Sequence, residues 1–482
     1  MLNISKDLFT SWNDAGVAYC HWKSNEHLLP GLDGNTDLDV LLSEEDRERG
    51  RSILSFLDFL ECKSQYGSRY PGVEDWIGFD KVTGSLIHIH LHYALVTGHK
   101  GMKEYDLPWR EEALQSRILN TEYGVYVMEP NLELVTLYTR IGLKADFKNL
   151  IRCRTGKFHF DKDTKREIDW LKDRVNMSKV ESLAKKYYGS MSVSFLDIIK
   201  KETIDAKSFT KLREITERNF KSNRRIHFFV RLREVCFFIY RRYLLPIRQK
   251  SGTLITKKVP IKEKGLTVAF LGQDGAGKTT VTKNIIKWWK WKLDVQKVYL
   301  GSGENYSSWK KKLAKRIPGK KLFRYIRTLL TFSDTKDRMK KAYVNVRKAV
   351  DYSQKGGLVV YDRYPQMEYA GICDGPKIRK RLHDIFGKGF MYKIMLPLAK
   401  SEEKNIKRIL NYSPDVVIKL ILSPEESLRR KPEENYADVK KKHEIIRALT
   451  YDKSDIYTVD ATMPFDEELI MIKTIIWQHI PK

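Results

Sequence analysis

Cysteine is scarce in this chain. Its five residues (Cys20, Cys62, Cys153, Cys236, Cys373) are scattered, odd in number and show no C-x-x-C pair. That excludes a disulfide framework and a cysteine-built zinc site, and it favours a reducing compartment. Long apolar runs are missing as well. No window approaches about 18 uncharged apolar residues, so no membrane-spanning helix is expected. The opening M-L-N-I-S-K-D-L-F-T lacks a basic start followed by an apolar core, so no secretory signal is expected and a cytoplasmic setting is. No internal repeat or low-complexity tract is present, which excludes a solenoid. Acidic residues are in deficit: 61 Asp and Glu stand against 89 Lys and Arg, a net charge of +28. The surface is therefore biased toward anionic partners such as nucleotides, nucleic acid or anionic lipid, without choosing among them.

At 482 residues, 42% hydrophobic and 31% charged, the chain is long enough for two or three globular domains. The most informative stretch is Val268 to Thr280, V-A-F-L-G-Q-D-G-A-G-K-T-T. Four apolar residues lead into Gly272, and Gly272-x-x-x-x-Gly277-Lys278-Thr279 has the spacing of a phosphate-binding loop that opens a helix. Gly272, Gly275 and Gly277 let the backbone turn its N–H groups around phosphate oxygens, and the helix that begins near Thr280 adds its positive end. Lys278 supplies a charge to the β- and γ-phosphates, and Thr279 a hydroxyl to Mg²⁺.

From there strands and helices alternate, as a parallel α/β domain requires. Candidate strands are 266–271, 297–300, 358–361, 416–422 and 456–459; candidate helices are 280–290, 336–353, 425–430 and 465–479. The third strand ends in Tyr361-Asp362-Arg363-Tyr364. Ligands of open α/β sheets sit beyond the carboxyl ends of the strands, so Asp362 and Arg363 are expected to face the phosphate loop. Asp362 would orient Mg²⁺, and Arg363 would neutralise the migrating phosphoryl group or bind the acceptor.

Nearer the N-terminus, residues 4–16 pattern as an amphipathic helix and Val17–Ser24 as a strand. A further strand, Asp37-Leu38-Asp39-Val40-Leu41-Leu42, puts Asp37 and Asp39 on one face. Two such carboxylates repel unless a cation lies between them, which makes a Mg²⁺ site. Leu86 to Tyr93 is a strand with His88, His90 and His92 on one face, a set suited to a transition metal or a substrate phosphate. From about Glu129 to Arg248 the pattern is helical. Its last segment, 226–246, is basic and aromatic, and it reads either as an interdomain helix or as one lying on an anionic membrane.

The loop F-L-G-Q-D-G-A-G-K-T-T, the Y-D-R-Y at 361–364 and the P-D-V-V-I-K-L-I-L-S-P-E-E-S-L-R-R-K at 414–431 together resemble the thymidylate kinase family. That resemblance implies ATP and Mg²⁺ as cofactors and transfer of the γ-phosphoryl to a nucleoside monophosphate such as dTMP or a related small acceptor. It implies that Asp274 reaches the acceptor sugar, that Arg338 grips the acceptor phosphate, and that Arg429 and Arg430 open a mobile lid continuing through 431–440. The run after Tyr364, P-Q-M-E-Y-A-G-I-C-D-G-P, departs from the thymine-recognising pattern, and a basic aromatic segment spans Ser302 to Thr331. The N-terminal G-N-T-D-L-D-V-L-L resembles the nucleotidyltransferase superfamily, with Lys23-Ser24 where that family carries Gly-Ser and His90 where it carries a third carboxylate.

The expected fold class is α/β: a nucleotidyltransferase-like α+β domain (1–128), a helical region (129–248), a basic linker (249–264) and a P-loop parallel-sheet kinase domain (265–482). The expected partners are a nucleotide and a small phosphorylated or sugar acceptor. Nucleic acid is not expected, peripheral contact with an anionic membrane is compatible with the charge, and a homodimer is compatible with the sequence. Two further readings are a bifunctional sugar kinase and nucleotidyltransferase of surface polysaccharide synthesis, and a non-catalytic NTP-binding regulator associated with nucleic acid or anionic membrane.

Overall fold

The computed structural model describes residues 1–63, 72–99, 102–145, 147–155, 158–225, 233, 236, 239–240, 260–301, 308–317 and 323–481. The chain divides into two compact units, Met1–Thr253 and Leu254–Lys482. Most of the 226–246 stretch and of the 249–264 linker lies outside the described residues, as do 302–307 and 318–322 of the basic aromatic segment.

Among the described residues the N-terminal unit is built on nine strands: β1 (Tyr19–His21), β2 (Asp37–Leu42), β3 (Leu60–Cys62), β4 (Val73–Phe79), β5 (Leu86–His92), β6 (Val96–Thr97), β7 (Tyr105–Asp106), β8 (Ile118–Asn120) and β9 (Val125–Val127). Seven of them form a mixed sheet ordered β3-β4-β5-β2-β1-β9-β8, and β6 and β7 pair separately. Within the large sheet β2 runs parallel to β5 and β1 parallel to β9, while the remaining pairs are antiparallel.

The period-2 alternation of β2 and β5 sorts their side chains. Leu38, Val40, Ile87, Ile89 and Leu91 join the core beneath the Asn3–Asp14 helix, which contributes Leu8, Phe9 and Trp12. The opposite face carries Asp37, Asp39 and the histidines. Helices Pro130–Leu143, Lys162–Lys172, Met177–Tyr188, Ser192–Ile199 and Ala206–Asn219 share a second core with Cys20, Trp22 and Leu41 of the sheet. The Pro130–Leu143 helix is buried on nearly every side. It starts at Glu129, whose carboxylate accepts from the Leu132 amide, with Pro130 at the first helical position.

Among its described residues the C-terminal unit holds five parallel strands: β10 (Thr267–Gly272), β11 (Val295–Tyr299), β12 (Leu358–Asp362), β13 (Val416–Ile421) and β14 (Asp455–Asp460), ordered β11-β12-β10-β13-β14. The central strands are almost continuously apolar because helices cover both faces, the expected signature of a buried parallel sheet. The chain leaves β10 on one side and later returns to its other side, which opens a crevice at the carboxyl ends of β10, β12 and β13. This is the α/β architecture expected of a P-loop unit. The helix expected at 336–353 is longer, Arg324–Ser353, and helices Ile378–Phe386, Phe390–Leu410 and Tyr436–Ala448 were not expected.

Candidate functional site

Strand β10 delivers the chain straight into the loop 272–277, and the Lys278–Trp289 helix leaves it. Two glycines are required there by geometry. A Cβ at Gly272 would lie 2.6 Å from the Leu420 carbonyl oxygen of the neighbouring strand. Gly277 caps the helix at φ 78°, a conformation that costs other residues about 1 kcal/mol or more.

Gln273, which the sequence did not single out, latches the loop to the end of β13. Its amide nitrogen donates to the Leu422 carbonyl at 2.7 Å, and its amide oxygen accepts from the Leu422 N–H at 3.2 Å. Lys278 is only 9% exposed, and its ammonium donates to the carbonyls of Gly272 (2.8 Å) and Gln273 (2.5 Å). Burial, reinforced by Arg363, pushes its pKa down to about 8. Thr279 and Thr280, beside it, are exposed.

A cavity of about 120 Å³ opens on this loop, and Asp274, Lys278, Arg363, Asp374, Lys377 and Lys442 contribute its charge. Asp274 stands 3.5 Å from Arg363 and 3.3 Å from Lys442. Burial works against its ionisation, but Lys278, Lys442 and Arg363 together hold the carboxyl below its usual range. Arg363 is held at φ 71°, the left-handed region, which costs a non-glycine residue of order 1–3 kcal/mol and marks a position constrained for its side chain. Its guanidinium lies 3.7 Å from Asp374.

Asp362 behaves differently from its neighbour. It is buried at the end of β12, and its carboxylate pairs with Lys297 on β11 at 2.7 Å; it does not line the loop cavity but acts electrostatically on Lys278 and Arg363, which do. Both Arg429 (2.7 Å) and Arg430 (2.8 Å) pair with Glu426, and Arg430 also reaches the loop, donating to the Gly275 carbonyl at 3.3 Å. The segment expected as a lid links helices Pro424–Arg430 and Tyr436–Ala448, and its last five residues belong to the second helix.

Arg338 lies elsewhere, on the wall of a second cavity of about 560 Å³ between the Trp309–Arg316, Arg324–Ser353 and Ile378–Phe386 helices. Lys377 lines both cavities. Burial, together with Arg338 and Arg381, holds it below its ordinary value against the opposing pull of Asp374.

In the N-terminal unit, Asp37 and Asp39 pair in register with His88 and His90. Asp75 on β4, opposite His90, completes a row of three carboxylates that the sequence did not reveal. His88 places one ring nitrogen 2.7 Å from Asp37 and the other 3.1 Å from Asp75. His90 lies 3.3 Å from Asp39 and 3.2 Å from Asp75, and His92 lies 3.0 Å from Asp39. Asp37, His88 and His90, and likewise Asp39, His90 and His92, each bring three donor atoms within 4.8 Å of one another. This mixed nitrogen and oxygen set fits a divalent cation.

Lys23 is 2.6 Å from Asp39 and meanwhile occupies that carboxylate. Burial opposes ionisation of Asp39, but Lys23, His90 and His92 hold its carboxyl well below the usual range. Burial, aided by Lys23, pushes Lys103 down to about 8, and Arg140 lowers Lys144 further still, so several cations crowd this face. Ser24, in the place of the expected Gly-Ser turn, sits at φ 59°.

No protein-family model matches the chain. It is similar to the uncharacterized ATP-binding protein YghR of Escherichia coli K12, at 28% identity over 221 residues, which is 42% of this chain and 83% of that protein. The protein of the same name from E. coli O6:H1 strain CFT073 matches to the same extent. The uncharacterized ATP-binding protein YghS of E. coli K12 is 27% identical over 218 residues, covering 42% of this chain and 88% of that protein. Among solved structures, a deoxyadenosine kinase from M. mycoides with bound dATP aligns at 16% identity and a TM-score of 0.28, over 44% of this chain and 98% of that one. No helix among the described residues is long and apolar enough to cross a membrane.

Proposed function

We propose that the C-terminal unit is an ATP-dependent phosphotransferase that moves the γ-phosphoryl of ATP to a small anionic acceptor. The observation that carries this reading is the convergence of Lys278, Arg363 and Lys377 on one cavity at the phosphate loop, with Lys377 also lining the neighbouring basic cavity. A loop alone binds a triphosphate; a donor cavity joined to an acceptor cavity through a shared cation transfers from one to the other. The names of the similar E. coli proteins support ATP as the nucleotide.

Lys278 already donates to two backbone carbonyls and would exchange them for phosphate oxygens. Arg363 and Lys377 would face the charge that spreads over the transferring group. Mg²⁺ fits the exposed Thr279 hydroxyl directly, and it fits Asp362 once Lys297 gives way; when bound it would neutralise β- and γ-phosphate charge. Arg430, tied to the loop at Gly275, is placed to respond to what the loop binds. Such an enzyme belongs where ATP and Mg²⁺ are plentiful, in the cytoplasm.

A second reading concerns the N-terminal unit and rests on Asp37 and Asp39 of β2 and Asp75 of β4 flanking the histidines of β5. That row supports a cation-dependent nucleotidyl-transfer site, which would make the chain bifunctional. One assay addresses both readings. With γ-labelled ATP, label moves to a small acceptor and is lost in Lys278→Met; with α-labelled ATP, label moves only if the N-terminal site works, and is lost in Asp37→Asn/Asp39→Asn. ATP binding with transfer of neither label would leave a non-catalytic NTP-binding regulator.

A further inference from the structure

The second cavity has an unusual lining for a small-molecule site. Its volume, about 560 Å³, falls in the range of roughly 300–1,000 Å³ common for ligand pockets, but such pockets are mostly apolar and aromatic. This one is cationic. Lys311, Lys315, Arg327, Arg338, Lys377 and Arg381 line it, and no aromatic ring stands among the described residues on its wall.

Among the described residues this excess charge is not consumed in direct ion pairs. Lys310, on the same helix as Lys311, is taken up by Asp337 at 2.5 Å, yet none of the six lining cations forms an ion pair with a carboxylate among the described residues. One acid, Asp334, shares the wall with them, while Asp374 and Glu402 act on Lys377, and Glu402 on Arg338, from outside it. Asp334 is 9% exposed, and its Oδ1 accepts no hydrogen bond from a described residue. A buried carboxylate oxygen without a partner is costly and is satisfied when a ligand donates to it. Thr331 and Thr335, one turn apart on the same helix, add two hydroxyls to that wall.

We infer that this cavity receives a phosphorylated sugar or polyol carrying at least one free hydroxyl, and not a nucleoside monophosphate. Its phosphate groups meet the arginines and lysines, and a hydroxyl donates to Asp334. A nucleobase would meet charged side chains and, among the described residues, no ring to stack on. This rests on the phosphotransferase reading, in which Lys377 joins the two cavities. If the hydroxyl beside Asp334 is the acceptor, its oxygen forms the new bond to the γ-phosphorus as the bond to the β,γ-bridging oxygen breaks. ADP leaves and the hydroxyl proton passes to Asp334, so the products are a more highly phosphorylated sugar and ADP.

The test is calorimetric and uses the full chain. Binding of a non-hydrolysable ATP analogue is measured first, and its absence overturns the phosphotransferase reading itself. With the loop saturated by that analogue, glucose 1,6-bisphosphate, glucose 6-phosphate, glucose and dTMP are titrated in turn. The bisphosphate is expected to bind tightest and glucose weakest, with dTMP no tighter than glucose 6-phosphate. Arg338→Ala/Arg381→Ala weakens both sugar phosphates by roughly tenfold or more while the analogue binds as before. Asp334→Asn removes an acid from a cationic wall, so inorganic pyrophosphate gains affinity while glucose 6-phosphate gains less or loses. Binding of dTMP tenfold tighter than glucose 6-phosphate, or sugar-phosphate binding indifferent to the Arg338→Ala/Arg381→Ala change, overturns the inference while leaving the ATP site standing.

Discussion

Replacing Lys278 by methionine separates what this side chain does for the fold from what it does for the ligand. Methionine keeps an unbranched apolar stem and removes the ammonium. In the ligand-free protein the ammonium is almost fully buried, and its pKa falls from 10.5 to about 8, so its charged form is disfavoured at neutral pH by about 3 kcal/mol. Against that, its donations to the Gly272 and Gln273 carbonyls are lost, each worth roughly 1–3 kcal/mol when the partner is left unpaired. The two terms nearly cancel, and the net change in stability should stay within about 2 kcal/mol, less than about 8 °C in melting temperature for a unit of this size.

Ligand binding has no such cancellation. The phosphates lose a charge-assisted donor, and affinity for a non-hydrolysable ATP analogue should fall roughly 100-fold, about 3 kcal/mol. Calorimetry for the ligand and thermal unfolding without it read the two quantities separately. A melting temperature lowered by much more than about 10 °C, or unchanged affinity, refutes the reasoning.

Four other outcomes follow from the structure. Free Lys278 titrates near 8 and a phosphate partner raises that value, so binding takes up a proton above about pH 8; the Kd for ATP then climbs by up to tenfold per pH unit, a slope that Lys278→Arg removes and that a flat profile from pH 7 to about 9.5 contradicts. For the ligand-free fold the sign is opposite, because a lowered lysine value means stability rises as pH passes through about 8 toward 10.5. Arg363→Gly relieves a left-handed backbone and should leave the unit equally or slightly more stable, by up to about 1 kcal/mol, while phosphoryl transfer falls roughly 100-fold; a large loss of stability with intact turnover reverses the assignment. In the N-terminal unit, Co²⁺ should give ligand-field absorption that Asp39→Asn/His90→Ala abolishes without changing affinity for the ATP analogue, and equal spectra from both proteins exclude the cation site.

The C-terminal sheet was legible because its central strands are apolar runs closed by turn signals, and the loop was legible because phosphate binding demands glycine, lysine and threonine at fixed spacing. Arg363 beside the loop followed from the rule that ligands sit at strand ends. Asp362 lies within electrostatic reach of Lys278, but its direct partner was not legible, because only the pairing of β11 with β12 puts Lys297 against its carboxylate. Asp75 was hidden for a related reason, since antiparallel register between β4 and β5 cannot be read from either strand alone. Gln273 looked like filler within the glycine-rich loop, and its latch to Leu422 is a contact across 149 residues. The Phe390–Leu410 helix was missed with Pro397 inside it, a residue that argues locally against a helix and is outweighed here by the buried stripe of Met395, Ala399, Ile406 and Ile409. Lys377 carries no local signature at all; its importance comes from lying between two cavities.

The most direct test of the central claim is a ³¹P NMR time course of the full chain with Mg²⁺-ATP and a pool of sugar phosphates, run beside Lys278→Met. The account predicts ADP appearing in step with a new phosphoester resonance, and neither in the variant. ADP matched only by inorganic phosphate, or AMP and pyrophosphate formed equally by both proteins, would contradict it.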